Sequence, residues 1–149
     1  PQVMTEYLNQ PDKTEDAFKY GWFHSGDIAS IDEDGAIWFT DRKKDVIKTG
    51  GENVASLEVE RCLIGHPKVA EAAVIGLPHE RWGEAITANV ILMPDEEVTE
   101  DELIEYCREH LAGFKVPKAI VVVEEFPRTG TGKIQKHMIR KDMEGSFSD

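Results

Sequence analysis

Two stretches, Val69 to Gly76 and Ala85 to Met93, run through apolar and β-branched residues at strand length, and both predict β-strands. Ile120 to Val123 predicts a third. Between them the spacing becomes helical. Leu103, Ile104, Cys107 and Leu111 form one stripe behind Thr99-Glu-Asp-Glu102, a capping box, and Gly113 ends that helix. An earlier helix is predicted from Ser56, taken as its N-cap, with Glu58 and Glu60 at the positive end of the dipole. Val59, Cys62 and Leu63 share its face, and Gly65 and Pro67 stop it. A short helix from about Gln135 to Met143 would close the chain. The expected fold is α+β: a small three-stranded sheet packed with helices.

Upstream, Trp22 to Asp41 reads as a β-hairpin turning at Glu33-Asp34-Gly35, because Asp-Gly supplies the positive backbone angles of a tight turn. The charged run Asp41-Arg-Lys-Lys-Asp45 follows, so a boundary is expected near Lys44, dividing 1–43 from 44–149. The tail Gly145 to Asp149 is expected to fray. No repeat or low-complexity tract interrupts this plan.

Composition narrows the classes. With 149 residues, 40% hydrophobic and 31% charged, the chain predicts a soluble globular protein. No apolar run approaches the roughly 20 residues of a transmembrane helix, and no signal-peptide pattern is seen. Position 1 is Pro, which suggests a piece of a longer protein. A net charge of −12 argues against nucleic-acid binding. The cations nonetheless gather in two places: Arg42, Lys43, Lys44 and Lys48, then Lys115, Lys118, Arg128, Lys133, Lys136, Arg140 and Lys141. Such clusters are either solvated faces or a site for a small anion. Cys62 and Cys107 stand far apart in helical patterns and read as core thiols, without zinc or a disulfide, which fits a reducing, cytoplasmic setting. The histidines His24, His66, His79, His110 and His137 show no ligand or triad spacing, and no metal site is predicted.

The segment Pro127-Arg-Thr-Gly-Thr-Gly-Lys133 could offer backbone N–H groups and a lysine charge to an anion. It is not a Walker loop: Pro127 stands where that motif needs Gly, and Ile134 where it needs Ser or Thr. Together with Gly21-Trp-Phe-His-Ser-Gly-Asp27, Asp41-Arg-Lys-Lys-Asp-Val-Ile-Lys48 and Gly50-Gly-Glu-Asn53, it resembles the adenylate-forming superfamily of acyl- and aryl-CoA synthetases, luciferases and peptide-synthetase adenylation domains. Order and spacing agree from Gln2 to about Lys141. The hairpin would then belong to the end of a large N-terminal domain, against which Trp22, Phe23 and Trp38 would pack. Residues 44–149 would be its mobile C-terminal lid.

The resemblance implies roles residue by residue. Asp27 would accept hydrogen bonds from the ribose hydroxyls of AMP, and Arg42 would reach the ribose or phosphate. Lys44 matches the hinge, where many relatives carry Asp. Gly50 and Gly51 would border the channel for the pantetheine arm of CoA, and Lys115 or Lys118 could meet CoA phosphates. Lys133 would be the catalytic lysine. The implied reaction joins a small-molecule carboxylic acid to ATP, giving acyl-AMP, and then to CoA, giving the thioester. Lys133 would offset the repulsion between carboxylate and phosphate, about 4 kcal/mol per close pair at an effective dielectric near 20, and Mg2+ would neutralise departing pyrophosphate. The fragment alone is expected to be inactive. A fatty acid is the leading substrate and an aromatic acid the next. The alternatives are an adenylation domain that feeds a carrier protein and a non-catalytic binding module of the same fold.

Overall fold

The computed structural model describes residues 2–145, and the chain divides into two compact units, Pro1–Lys44 and Asp45–Asp149. The expected fraying of the tail falls largely on residues 146–149, outside those described.

The first unit begins with a short helix that the hydrophobic pattern does not announce, α1 (Pro11–Ala17), which carries Pro at its start, where no N–H is required. Strands β1 (Asp27–Ile31) and β2 (Ile37–Arg42) form the anticipated antiparallel hairpin. Its turn is held by Asp32. One carboxylate oxygen accepts from the N–H groups of Asp34 and Ala36, and the other accepts from the Trp38 indole at 2.6 Å. The Trp38 bond first, then the Ala36 N–H, keeps the Asp32 carboxyl below its ordinary range. Gly35 supplies the positive φ of +81°. Every residue of β1 is exposed, and Ala17 and Asp41 are the only buried residues among those described in this unit.

The second unit is a five-stranded sheet. Short strands β3 (Ile47–Thr49) and β4 (Glu52–Val54) lead into helix α2 (Ser56–Ile64); the long strands β5 (Val69–His79) and β6 (Gly83–Leu92) form the central antiparallel ladder. Helix α3 (Glu100–His110) crosses over to β7 (Ala119–Val122), which runs parallel to β6, and α4 (Lys136–Asp142) closes the unit. The order is β4-β3-β6-β5, with β3 meeting β6 at Gly83 and β7 meeting it from Thr87 to Val90. The three strands expected from sequence are all present, and the sheet is larger by β3 and β4.

Alternation along β5 explains why its sequence is apolar throughout. Ala72 and Val74 join Val59, Leu63, Leu103, Cys107 and Ile120 in the cluster under α2 and α3. Ala73, Ile75 and Leu77 face the other way, toward Phe126 and Ile139 of the α4 side. β5 is an edge strand, and its open edge is covered: Glu60 of α2 accepts from the Val74 N–H at 2.8 Å, and Arg140 of α4 donates to the Gly76 carbonyl at 3.2 Å.

The α3 capping box is present as predicted, with the Glu102 N–H donating to Thr99 Oγ1 and the Thr99 N–H to Glu102 Oε2. Ser56 is not a cap. Ala55 holds the cap position without a side-chain bond, and Ser56 is the first helical residue, fully buried, its hydroxyl taken by Lys136. The two thiols, distant in sequence, lie within one core where α2 meets α3. Burial first pushes the Cys107 thiol up, to about 12, and the neighbouring Cys62 adds to the rise.

Candidate functional site

Within the first unit, the β1–β2 pairing sets Asp27 directly opposite Arg42, and Arg42 Nε lies 2.7 Å from Asp27 Oδ1. Both sequence-predicted nucleotide residues therefore meet. The ion pair commits one carboxylate oxygen, leaving Oδ2 for a hydroxyl donor. The Asp27 N–H is held by Ser25 Oγ at 3.1 Å, and the Gly26 carbonyl accepts from Lys43 at 2.8 Å. These bonds tie the Ser-Gly-Asp segment to the charged run that follows β2. Ser25, Gly26, Arg42, Lys43 and Lys44 line one cavity of about 540 Å³. Three cations around it make a groove suited to an anion.

In the second unit, Lys133 sits near the end of a closed turn. Arg128 and Ile134 form an isolated antiparallel bridge, the Thr129 N–H donates to the Lys133 carbonyl at 2.9 Å, and the Gly132 N–H to the Thr129 carbonyl at 2.8 Å. The Lys133 N–H donates to Thr129 Oγ1 at 3.1 Å. The glycines therefore build a hairpin, and the Gly132 N–H is used internally instead of being presented to an anion. The Lys133 ammonium makes no hydrogen bond or ion pair among the described residues, and the side chain is exposed. It is the charge of this loop left available to a ligand.

Gly50 and Gly51 are the two central residues of the β3–β4 turn, at φ +59° and +87°. Positive φ at both is the requirement of a type I′ hairpin, which glycine meets without strain. Gly51 has nothing within 4 Å of a would-be Cβ, so a ligand can lie against its backbone. The Gly50 N–H donates to the Trp82 carbonyl at 2.9 Å, and the Trp82 ring lies 3.9 Å from a would-be Gly50 Cβ. Sequence reasoning passed over Trp82. Its ring stacks on His79 at 4.3 Å between centroids, with Lys118 Nζ at 4.9 Å and Arg81 at 5.6 Å. An aromatic face ringed by cations suits a flat, anionic group. The signal available in the sequence was His79, Arg81 and Trp82 between two strands, beside the glycine turn. Lys115, by contrast, is engaged by Glu58 at 2.6 Å.

The two features of the second unit are far apart. The Lys133 loop is anchored through Arg128 to Glu71, which pairs with Ile91 at one end of the β5–β6 ladder. The glycine turn joins at Thr49 and Gly83, and Gly83 pairs with His79 at the other end. From Glu71 to His79 the strand advances about 26 Å at ~3.3 Å per residue. Among the described residues no group of three or more His, Cys, Asp or Glu converges on a cation site, and no helix is long and apolar enough to cross a membrane.

Residues 58–133 match the family described as the AMP-binding enzyme C-terminal domain. Among curated proteins, the long-chain-fatty-acid–CoA ligase FadD13 of Mycobacterium tuberculosis is 48% identical over 139 residues, 93% of this chain and 27% of that protein. The peroxisomal trans-cinnamate:CoA ligase of Petunia hybrida is 45% identical over 145 residues, 97% of this chain and 25% of that protein. The ATP-bound structure of MatB from Rhodopseudomonas palustris superposes with a TM-score of 0.90 at 35% identity, covering 98% of this chain and 29% of that one. The chain thus spans about a quarter of the length of the curated relatives it matches.

Proposed function

Because the chain belongs to the AMP-binding enzyme C-terminal domain family, we propose that the whole protein is an ATP-dependent acyl-CoA synthetase, and that this part of it serves both half-reactions from two different faces. The observation that carries the proposal is that the Lys133 loop and the Gly50-Gly51 turn are anchored at opposite ends of one ladder. Faces anchored at opposite ends of a β5 run of about 26 Å, eight residues at ~3.3 Å each, are not placed to address one reacting carbonyl at once. Sequential use requires the second unit to turn, and a charged hinge at Lys44, where the two units divide, supplies the pivot.

In the first half-reaction the acid's carboxylate oxygen attacks the α-phosphorus of ATP, and the bond to pyrophosphate breaks. The Lys133 ammonium, which has no partner among the described residues, bridges the two anions and stabilises the charge they share. Asp27 Oδ2 accepts from the ribose, while Arg42, held by Oδ1, and Lys43 add positive charge on the nucleotide side. Mg2+, held mainly through ATP and the rest of the protein, would supply charge to neutralise the departing pyrophosphate. In the second half-reaction the CoA thiol attacks the adenylate carbonyl and AMP leaves. The glycine turn gives the pantetheine arm room against the backbone, and the Trp82 face with Lys118 and Arg81 receives the anionic end of CoA.

A fatty acid is the favoured substrate class, supported by the likeness to FadD13; the petunia relative, described as acting on trans-cinnamate, makes an aromatic acid the competitor. We place the protein in the cytoplasm on its unpaired thiols, and the peroxisomal description of the petunia relative marks the alternative. The partners are the acid, ATP, CoA and the protein's own N-terminal domain, which the exposed Trp22, Trp38 and Ile37 are suited to meet. A carrier protein as acceptor would show pyrophosphate exchange without CoA consumption. The test is Lys133→Ala in the full-length enzyme. Acid-dependent pyrophosphate exchange should be abolished, while thioester formation from supplied acyl-AMP and CoA persists. Equal loss of both refutes the assignment.

A further inference from the structure

The nine residues from Arg128 to Lys136 hold two lysines with opposite surroundings. Lys133 is exposed, its ammonium without a partner among the described residues, whereas Lys136 is mostly buried, its side chain 17% exposed against 10% for Glu60. Lys136 Nζ lies 2.6 Å from Glu60 Oε1 and 2.7 Å from Ser56 Oγ, on a helix some eighty residues earlier in the chain. Glu60 Oε1 also accepts the Val74 N–H at 2.8 Å. The ion pair therefore links α2, the open edge of β5 and the first residue of α4 through one carboxylate.

A buried pair of this kind is a poor device for stability alone, since an apolar pair of similar volume commonly does as well, but it fixes position closely because each charge has only one satisfactory place. The place fixed here is the exit of the Lys133 loop. The entry is fixed separately: Arg128 Nη2 reaches Glu71 at 2.7 and 2.5 Å, and Arg128 Nη1 donates to the Gly132 carbonyl at 3.1 Å. Between the two clamps, the Gln135 N–H closes the neck on the Pro127 carbonyl at 2.8 Å. Only Ile134 and Gln135 separate the Lys136 anchor from Lys133, so a shift at the anchor moves the Lys133 backbone directly.

We infer that Lys136, held by Glu60 and Ser56, is a positioning residue that aims Lys133 in the adenylation half-reaction and has no part in thioester formation. The inference rests on the role given to Lys133 above. In the full-length enzyme, Lys136→Met should lower acid-dependent pyrophosphate exchange through kcat, on the order of a hundredfold for a displacement of about 1 Å. KM for ATP should change little, and thioester formation from supplied acyl-AMP should stay near wild type. Lys136→Arg, which keeps the charge and reaches both partners, should restore most of the loss. Glu60→Gln, nearly isosteric, should give a smaller loss in the same half-reaction. In the Lys133→Ala background, Lys136→Met should add nothing, because both act through one group.

Leu103→Ala, a core change remote from the loop, controls for lost stability. The inference is overturned if Lys136→Met lowers both half-reactions together, as Leu103→Ala does at matched stability, or if its effect multiplies with that of Lys133→Ala. If Lys133→Ala itself spares pyrophosphate exchange, the underlying assignment fails first, and that result is distinct from either of these.

Discussion

The buried thiol of Cys107 should make this protein's stability fall steeply in alkali, by an amount that can be worked out. Cys107 is fully inaccessible, and desolvation, then the Cys62 charge and hydrogen bond, raise it from 9.0 to about 12. A raised folded-state value means the native protein holds the proton more tightly than the unfolded chain. The stabilisation is therefore complete below pH 9 and disappears as pH rises toward 12. At pH 11, two units above the unfolded value of 9.0, the loss is about 3 kcal/mol. That is a large share of the ~5–15 kcal/mol typical of a domain. Alkali acts on the rest of the protein as well, so the measurement is a difference. Urea unfolding of wild type and Cys107→Ala at pH 8 and pH 11, with reductant present, gives two pH decrements. Wild type should lose about 2–3 kcal/mol more than the variant, which starts lower because of its cavity. Equal decrements would refute a thiol kept neutral by the α2–α3 core.

Two further outcomes test local features. Thr99→Ala removes one half of the α3 capping box and should cost about 1 kcal/mol, read as a lower urea midpoint with unchanged slope; an unaltered midpoint would mean that the box contributes nothing. Gly51→Ala meets no atom within 4 Å, so its cost is confined to φ +87°, about 1–2 kcal/mol; in the full-length enzyme it should raise KM for CoA and leave pyrophosphate exchange unaffected, and a fall in exchange alone would contradict the placement of the CoA path.

What the sequence disclosed and what it withheld separate by the range of the interactions. The capping box is legible because its partners stand three residues apart. The long strands β5 and β6 are legible because both faces are covered, although β5 runs on past Gly76 to His79: pairing with β6 continues through Pro78, whose missing N–H is tolerated at an edge. β3 and β4 escape notice because each is three residues long and buries only Ile47, Thr49 and Val54, too few for a period of two to register. The Gly-Gly pair between them was the available sign of a hairpin. Ser56 misleads for a different reason. A serine before a helical stripe ordinarily caps it, but here a lysine eighty positions later takes the hydroxyl. The same non-local contact hides Lys136, which in sequence is one more cation in a basic cluster. Lys133, Asp27 and Arg42 were singled out by motif, and the register of β1 and β2 then brought Asp27 against Arg42.

The near absence of buried residues in the first unit has a calorimetric consequence. A two-stranded hairpin without an apolar face to cover it is marginal in water, and among its described residues only Ala17 and Asp41 are buried. Heat-capacity increments on unfolding follow the apolar surface newly exposed to water, at about 12–15 cal/mol/K for each residue that truly folds. Residues 1–44 bring little such surface to lose. In a scanning experiment the isolated chain would therefore weigh in close to the span from Asp45 onward, and its thermal size would be smaller than its length.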